Sequence, residues 1–234
     1  VRYDIREEKF YVIGKYKAKT VTSSNGDIWT GYDGMICRYD EKGDSLLLYT
    51  EEDIPDISSL LVSGNKIWVG TYEGLYVIEK GEKARCLVDG PEFYRLFESS
   101  SGEVWAGCRT GGLYRIMPDE KVIWYSDSNA EPYHIESNQI RSFAEDRFGN
   151  IWFGTFLGLH KYNPYTDKFT VYRQDHLPGS LSHSSVFSVY IDAQATIWVG
   201  TYYGGANYFN PEKEIFAHYT DNPFRKECLN YSFV

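Results

Sequence analysis

The chain has 234 residues, enough for one large all-β domain. Its formal charge of −9 argues against a polyanion-binding role, since surfaces that bind nucleic acid are normally basic. No apolar run approaches the ~18 residues of a membrane helix, and no 3.6-residue apolar period is sustained, so helix is expected to be minor.

Taken in order, the chain reads as short strands separated by turns. Residues 1–13 look like the last two strands of a partial repeat. The first full repeat, 17–50, turns at Asn25-Gly26-Asp27 and at Tyr32-Asp33-Gly34 and ends on Leu46-Leu47-Leu48-Tyr49. The second spans 57–88, the third 93–125, the fourth 139–173 and the fifth 186–219, each with four strand-like runs. In the last run of the fourth, Phe169, Val171 and Arg173 alternate with Thr170 and Tyr172, which is strand periodicity. Residues 228–234 resemble the first strand of a further repeat. Insertions at 126–138 and 174–185 fall between the last strand of one repeat and the first of the next.

One motif sets the register. It is Ile28-Trp29-Thr30-Gly31, Ile67-Trp68-Val69-Gly70, Val104-Trp105-Ala106-Gly107, Ile151-Trp152-Phe153-Gly154 and Ile197-Trp198-Val199-Gly200. The tryptophans are 39, 37, 47 and 46 residues apart, and only Trp124 stands outside the pattern. Four antiparallel strands recurring every ~40 residues make propeller blades. The expectation is an all-β propeller with about five complete four-stranded blades and partial blades at both ends. The Trp should pack between neighbouring blades, with its N–H needing a partner. The Gly should permit close strand packing or a bend.

The stretch from Glu145 to Pro164, with Gly149-Asn150-Ile151-Trp152-Phe153-Gly154-Thr155 and Gly158-Leu159 inside it, closely resembles the two-component regulator propeller repeat. Individual copies depart from it in their turns: Ser63-Gly64-Asn65-Lys66 in the second, and Asp192-Ala193-Gln194-Ala195-Thr196, without its Gly, in the fifth. The resemblance implies the periplasmic sensor region of a hybrid two-component histidine kinase, itself an inner-membrane protein. In that family two seven-bladed propellers usually precede a β-sandwich, a membrane helix and a kinase core, and many members detect oligosaccharides. The chain begins with Val and stops inside the run Tyr231-Ser232-Phe233-Val234, so part of a larger propeller is expected. Its implied partners are an oligosaccharide ligand, further blades, the β-sandwich and kinase regions of the same polypeptide, and a second copy in a homodimer.

No catalytic motif stands out. His134, His160, His176, His183 and His218 lack metal-ligand spacing, and Cys37, Cys86, Cys108 and Cys228 lack CxxC spacing. All four cysteines read as small apolar residues, with a disulfide left open. Glu51-Glu52, Glu145-Asp146 and the glycosylation-like Asn230-Tyr231-Ser232 carry little chemistry by themselves. No enzyme activity, metal or cofactor is expected of this chain.

The better candidates are the loops between second and third strands, because variable residues on a rigid repeated scaffold are where specificity is placed. They offer Tyr32, Asp33, Tyr72, Glu73, Arg109, Phe156, Tyr202 and Tyr203 as ligand-binding residues, with Thr110 and Leu157 beside them. Aromatic faces beside carboxylates and Arg suit a sugar. The insertions, through Tyr133, His134, Arg173 and His183, are expected to form a wall of the same face. The alternatives are an interaction or dimerisation scaffold and, behind it, a propeller lyase.

Overall fold

The computed structural model describes residues 2–4, 8–11, 18–40, 45–49, 54–79, 82–175, 177–210 and 215–219. His176, Glu51-Glu52, Cys228, the Asn230 acceptor and the repeat expected at 228–234 lie outside the described residues.

Every described element is a strand. β1 (Arg2–Asp4) and β2 (Lys9–Tyr11) pair as an antiparallel ribbon. The remaining strands form five antiparallel four-stranded sheets, each in plain chain order. The first sheet is β3 (Thr20–Ser24), β4 (Asp27–Tyr32), β5 (Met35–Tyr39) and β6 (Ser45–Tyr49). The second is β7 (Ile57–Ser63), β8 (Lys66–Thr71), β9 (Gly74–Glu79) and β10 (Arg85–Asp89). The third is β11 (Phe93–Glu98), β12 (Val104–Cys108), β13 (Leu113–Ile116) and β14 (Val122–Tyr125). The fourth is β15 (Ile140–Glu145), β16 (Ile151–Thr155), β17 (Leu159–Asn163) and β18 (Lys168–Tyr172). The fifth is β19 (Val186–Ile191), β20 (Ile197–Thr201), β21 (Gly205–Asn210) and β22 (Ile215–Tyr219). These sheets are the blades of a β-propeller.

The chain divides into two compact units, Val1–Leu96 and Phe97–Val234. In the first, β7 packs on β3 and β4, and Ile36, Ile57, Leu60, Ile67, Val69 and Ile78 form the core. In the second, Trp105 and Trp152 each pack against the blade that follows, while Trp198 packs on Tyr208 and Tyr219 of its own blade. The Trp105 ring lies 5.0 Å from that of Tyr162, and Trp152 lies 5.5 Å from Phe209. Both indoles are almost wholly buried, a position where truncation to Ala typically costs ~3–5 kcal/mol.

The motif Gly serves the same contact from the other side. A Cβ on Gly31 would stand 2.8 Å from Ile57 Cγ2, one on Gly107 2.8 Å from Ile140, and one on Gly154 2.6 Å from Val186. Each of these partners opens the first strand of the next blade, so the Gly is there for close approach between blades.

Indole N–H groups divide by blade. Trp152 Nε1 donates to Asp146 Oδ2 and Trp198 Nε1 to Asp192 Oδ2, both at 2.8 Å. Trp29 and Trp105 have buried Nε1 atoms without a hydrogen-bond partner. Six residues before each Trp stand Ser23, Val62, Ser99, Asp146 and Asp192, so the partner exists where the turn supplies a carboxylate.

Cys37 and Cys108 are buried free thiols, in line with the small-apolar reading, whereas Cys86 is an exposed free thiol. Cys86 lies on the outer strand β10, and partial burial and Asp89 push its thiol pKa up. His160 is buried, and His218 is exposed on β22 with Nε2 2.6 Å from Ser180 O.

Candidate functional site

The loops between second and third strands are built alike. Thr71, Thr155 and Thr201 close β8, β16 and β20, and their buried hydroxyls donate to Gly74 O, Gly158 O and Gly205 O at 2.9–3.0 Å. Thr71 and Thr155 also accept from the loop amides of Glu73 and Leu157, both at 3.1 Å. A loop braced this way holds its outward side chains on a fixed backbone. In the fifth blade the loop carries one more residue, Gly204. A Cβ there would meet Ser182 Oγ at 2.5 Å and His183 Cβ at 2.7 Å. Tyr203, just before it, is held at φ 71°, the left-handed region that a Tyr rarely occupies.

The first strand contributes through a recurring irregularity. β7, β15 and β19 each carry a register shift near their start, where the pairing of residues with the second strand skips Ser58, Arg141 and Phe187. A bulge re-aims the extra residue out of the alternating pattern. Ser58 turns back to the backbone, donating to Phe93 O at 2.6 Å. Arg141 and Phe187 instead meet the loop aromatics.

The result in the second unit is a ladder of rings around one guanidinium. Arg141 Cζ lies 5.2 Å from the Phe156 centroid and 4.3 Å from that of Phe187. Phe187 stacks on Tyr202 at 5.5 Å, and Tyr202 meets Tyr203 edge-on at 4.2 Å. Arg141 Nη1 donates to Ser185 Oγ at 2.8 Å and Nη2 to Gln139 Oε1 at 3.1 Å. The Tyr202 and Tyr203 hydroxyls lie 3.3 Å apart, and the neighbouring phenol raises the Tyr202 pKa. Phe156, Phe187 and Tyr203 are exposed. Ring faces beside a cation offer stacking and hydrogen bonding together.

Of the residues expected from sequence, Phe156, Tyr202 and Tyr203 therefore meet in one cluster. Arg109 is exposed on the loop after β12. In the first unit, Asp33 and Tyr72 both face Lys19. Its Nζ lies 2.9 Å from Asp33 and 2.6 Å from Asp56, and 5.7 Å from the Tyr72 ring centroid. Glu73 is exposed on the same loop as Tyr72. Tyr32 is different. It is 6% exposed, sits in the core with Cys37 and Tyr39, and donates to Met35 Sδ at 3.4 Å. Asp33 and Gly34 make a two-residue type I′ hairpin with φ of 39° and 72°. The turn is as long as the Tyr72-Glu73 loop, but its Gly lies inside it instead of opening the third strand, so Tyr32 stands at the register of Thr71, on the strand, and Asp33 and Gly34 form the loop.

The two insertions part company. Gly204 packs on the second one, whose Ser182 exchanges hydrogen bonds with Asn207. His183 therefore does border the ladder's loop. His134 instead lines a cleft with Thr166 and Asp167, in the turn after β17, at the opposite end of the fourth blade from Phe156. Arg173 forms an ion pair with Glu136, which ties the first insertion to the end of the fourth repeat.

Residues 134–156, which include Arg141, Trp152 and Phe156, match the family model of the two-component regulator propeller. The chain carries a two-component regulator propeller repeat. An alignment of 126 residues, covering 48% of the chain, is 32% identical to histidine kinase P4 of Formosa agariphila and covers 9% of that protein. The fold is that of the extracellular domain of the B. thetaiotaomicron protein BT3049, named for a hybrid two-component system. That match has a TM-score of 0.69 and 21% identity, over 90% of this chain and 29% of that one. Virginiamycin B lyase of Staphylococcus aureus shares the propeller at a TM-score of 0.64 and 14% identity, over 87% of this chain and 70% of the lyase. The propeller-repeat chain thus spans less than a third of the kinase and of BT3049.

Proposed function

We propose that this propeller is an extracytoplasmic sensor of a hybrid two-component signalling protein, that it detects a glycan-derived ligand, and that it regulates a kinase elsewhere in the polypeptide. In this reading the sheets at 17–50, 57–88, 93–125, 139–173 and 186–219 are consecutive blades of one region. The protein then sits in the inner membrane with this part in the periplasm. The repeat at 134–156 and the likeness to a histidine kinase support the class.

The observation that carries ligand detection is the ladder of Phe156, Arg141, Phe187, Tyr202 and Tyr203. It presents exposed ring faces and polar groups on braced loops, the chemistry that meets the C–H face and hydroxyls of a sugar. Signalling then requires the ligand to bind one of two states of the assembly more tightly. We assign no catalytic step to this chain.

Isothermal titration calorimetry of the chain against neutral and acidic oligosaccharides tests the reading. Saturable binding that weakens at least tenfold in Tyr203→Ala and in Arg141→Ala supports it. Binding of no oligosaccharide sinks it. The second reading, an interaction or dimerisation scaffold, is favoured by the same exposed rings. It predicts that Phe156→Ala and Tyr203→Ala lower self-association in sedimentation velocity while leaving no sugar-dependent heat to lose.

A further inference from the structure

The insertion at 126–138 is ordered by its own hydrogen bonds. Ser126 N donates to Tyr133 O at 3.2 Å and Ile135 N to Ser126 O at 3.1 Å. Asp127 and Asn138 clasp each other: Asp127 N donates to Asn138 Oδ1 at 2.9 Å, and Asn138 Nδ2 to Asp127 Oδ1 at 2.7 Å. Ile135 is 1% exposed and plugged into the core that holds Trp105 and Tyr125. The loop so anchored faces the turn between β17 and β18 across an open cleft of about 680 Å³. Glu131, Pro132 and His134 line one side, and Thr166, Asp167 and Lys168 the other. Because successive strands run in opposite directions, that turn closes the end of the blade away from Phe156.

Two of the cleft's acceptors are fixed by groups behind them. Asp167 takes φ 53°, and its Oδ1 accepts from Tyr162 Oη at 2.6 Å and Arg115 Nη1 at 3.4 Å. Arg115 is in turn gripped by both carboxylate oxygens of Glu103, at 2.7 and 3.1 Å. The Asp167 side chain nonetheless stays 65% exposed. His134 Nδ1 lies 3.2 Å from Asn129 O. A carbonyl accepts only, so Nδ1 carries the proton and Nε2 of the neutral ring is an acceptor. Lys168 and Thr166 add donors, and Pro132 and the Phe169 ring add apolar surface.

We propose that this cleft is a second ligand site, for a neutral polyhydroxylated molecule of one to three sugar rings. Its volume lies in the ~300–1,000 Å³ range of small-molecule sites. The carboxylates and the imidazole accept from hydroxyls, Lys168 donates to one, and the apolar pair meets a C–H face. A polycation would meet Lys168, and a polyanion would meet Glu131 and Asp167. The proposal shares a ligand class with the proposed function but uses the other end of the blades.

Calorimetry on the chain tests it with neutral trisaccharides of glucose, xylose, mannose, galactose and arabinose, and with spermidine and a hexuronate trimer as charged probes. The comparison variants are Glu131→Ala/His134→Ala, Thr166→Trp to fill the cleft, and Phe156→Ala at the ladder, each checked for folding by circular dichroism. The expected result is a saturable site for at least one neutral trisaccharide that persists in the Phe156→Ala background, where the ladder is disabled, and is weakened at least tenfold there by both cleft variants. The proposal is overturned if no neutral trisaccharide binds. It is equally overturned if only a charged probe is sensitive to the cleft variants, or if all sugar binding follows Phe156→Ala alone. A ladder that binds nothing leaves the cleft result standing, so the two readings fail separately.

Discussion

Trp105 and Trp152 occupy the same place in neighbouring blades and are equally buried, yet only Trp152 has a partner for its indole N–H. The turns beside them share a backbone. Ser99 N donates to Glu103 O and Gly102 N to Ser99 O, as Asp146 N donates to Asn150 O and Gly149 N to Asp146 O, all at 2.9–3.0 Å. An Asp at position 99 would therefore present its carboxylate as Asp146 does. An unmet buried donor costs ~1–3 kcal/mol, so Ser99→Asp should recover about 1 kcal/mol after the loss of the Ser99 hydroxyl contacts. For a domain of this size that is a rise in Tm of ~2–4 °C. Differential scanning calorimetry checks it, with Ser99→Ala as the control that must show no gain. The reciprocal change, Asp146→Ala, should lower stability by about 1–3 kcal/mol, because Asp146 also accepts from the backbone of Phe148 and Asn150.

At the scale of strands and loops, the repeat made the blades legible, because its Trp and Gly answer to a packing rule, seen where Trp105, Trp152, Gly31, Gly107 and Gly154 meet the next blade. The candidate site was legible only in part. Phe156, Tyr202 and Tyr203 lie where the motif leaves positions free. Arg141 and Phe187, which complete the ladder, were hidden because a bulge breaks the alternation from which strand faces are read. Ile140 and Val186, just before them, do follow the core pattern. Tyr32 was misplaced for the opposite reason: Gly34 lies inside its turn, whereas Gly74 opens the third strand, so counting from the Gly moves the strand end by one residue. Tyr203 shows strain that sequence could not reveal. A non-Gly residue in the left-handed region gives up ~1–2 kcal/mol. Strain kept at an exposed side chain points to a role for that side chain. Tyr203→Gly should thus hold or raise Tm by ~1–3 °C while removing ligand binding at the ladder. A mutant that loses stability as well would mean that the ring is there for packing.

Across the whole molecule the balance of charge is acidic, but a buried histidine sets one of its responses to acid. His160 stacks on Phe153 at 4.9 Å, and the backbone of Gly158 offsets only part of the cost of burying a charged ring. Burial lowers its pKa from 6.5 to about 4, so the folded chain holds the ring neutral where the unfolded chain would protonate it. Between those two values the unfolded state binds more protons. Its share of stability is therefore complete above pH 6.5 and is lost as pH falls toward 4, with a slope of at most ~1.4 kcal/mol per pH unit. A carboxylate whose pKa is lowered on folding acts in the same direction but at lower pH. Asp192 is such a group, held down by its hydrogen bond from Trp198. Measured between pH 7.5 and 5, above the carboxylate range, the fall in Tm should come mainly from the histidine. His160→Phe keeps the ring against Phe153 and removes the titration, so its Tm should be flatter across that interval. If wild type and variant fall in parallel, the ring is not kept neutral on folding and the pH response arises elsewhere.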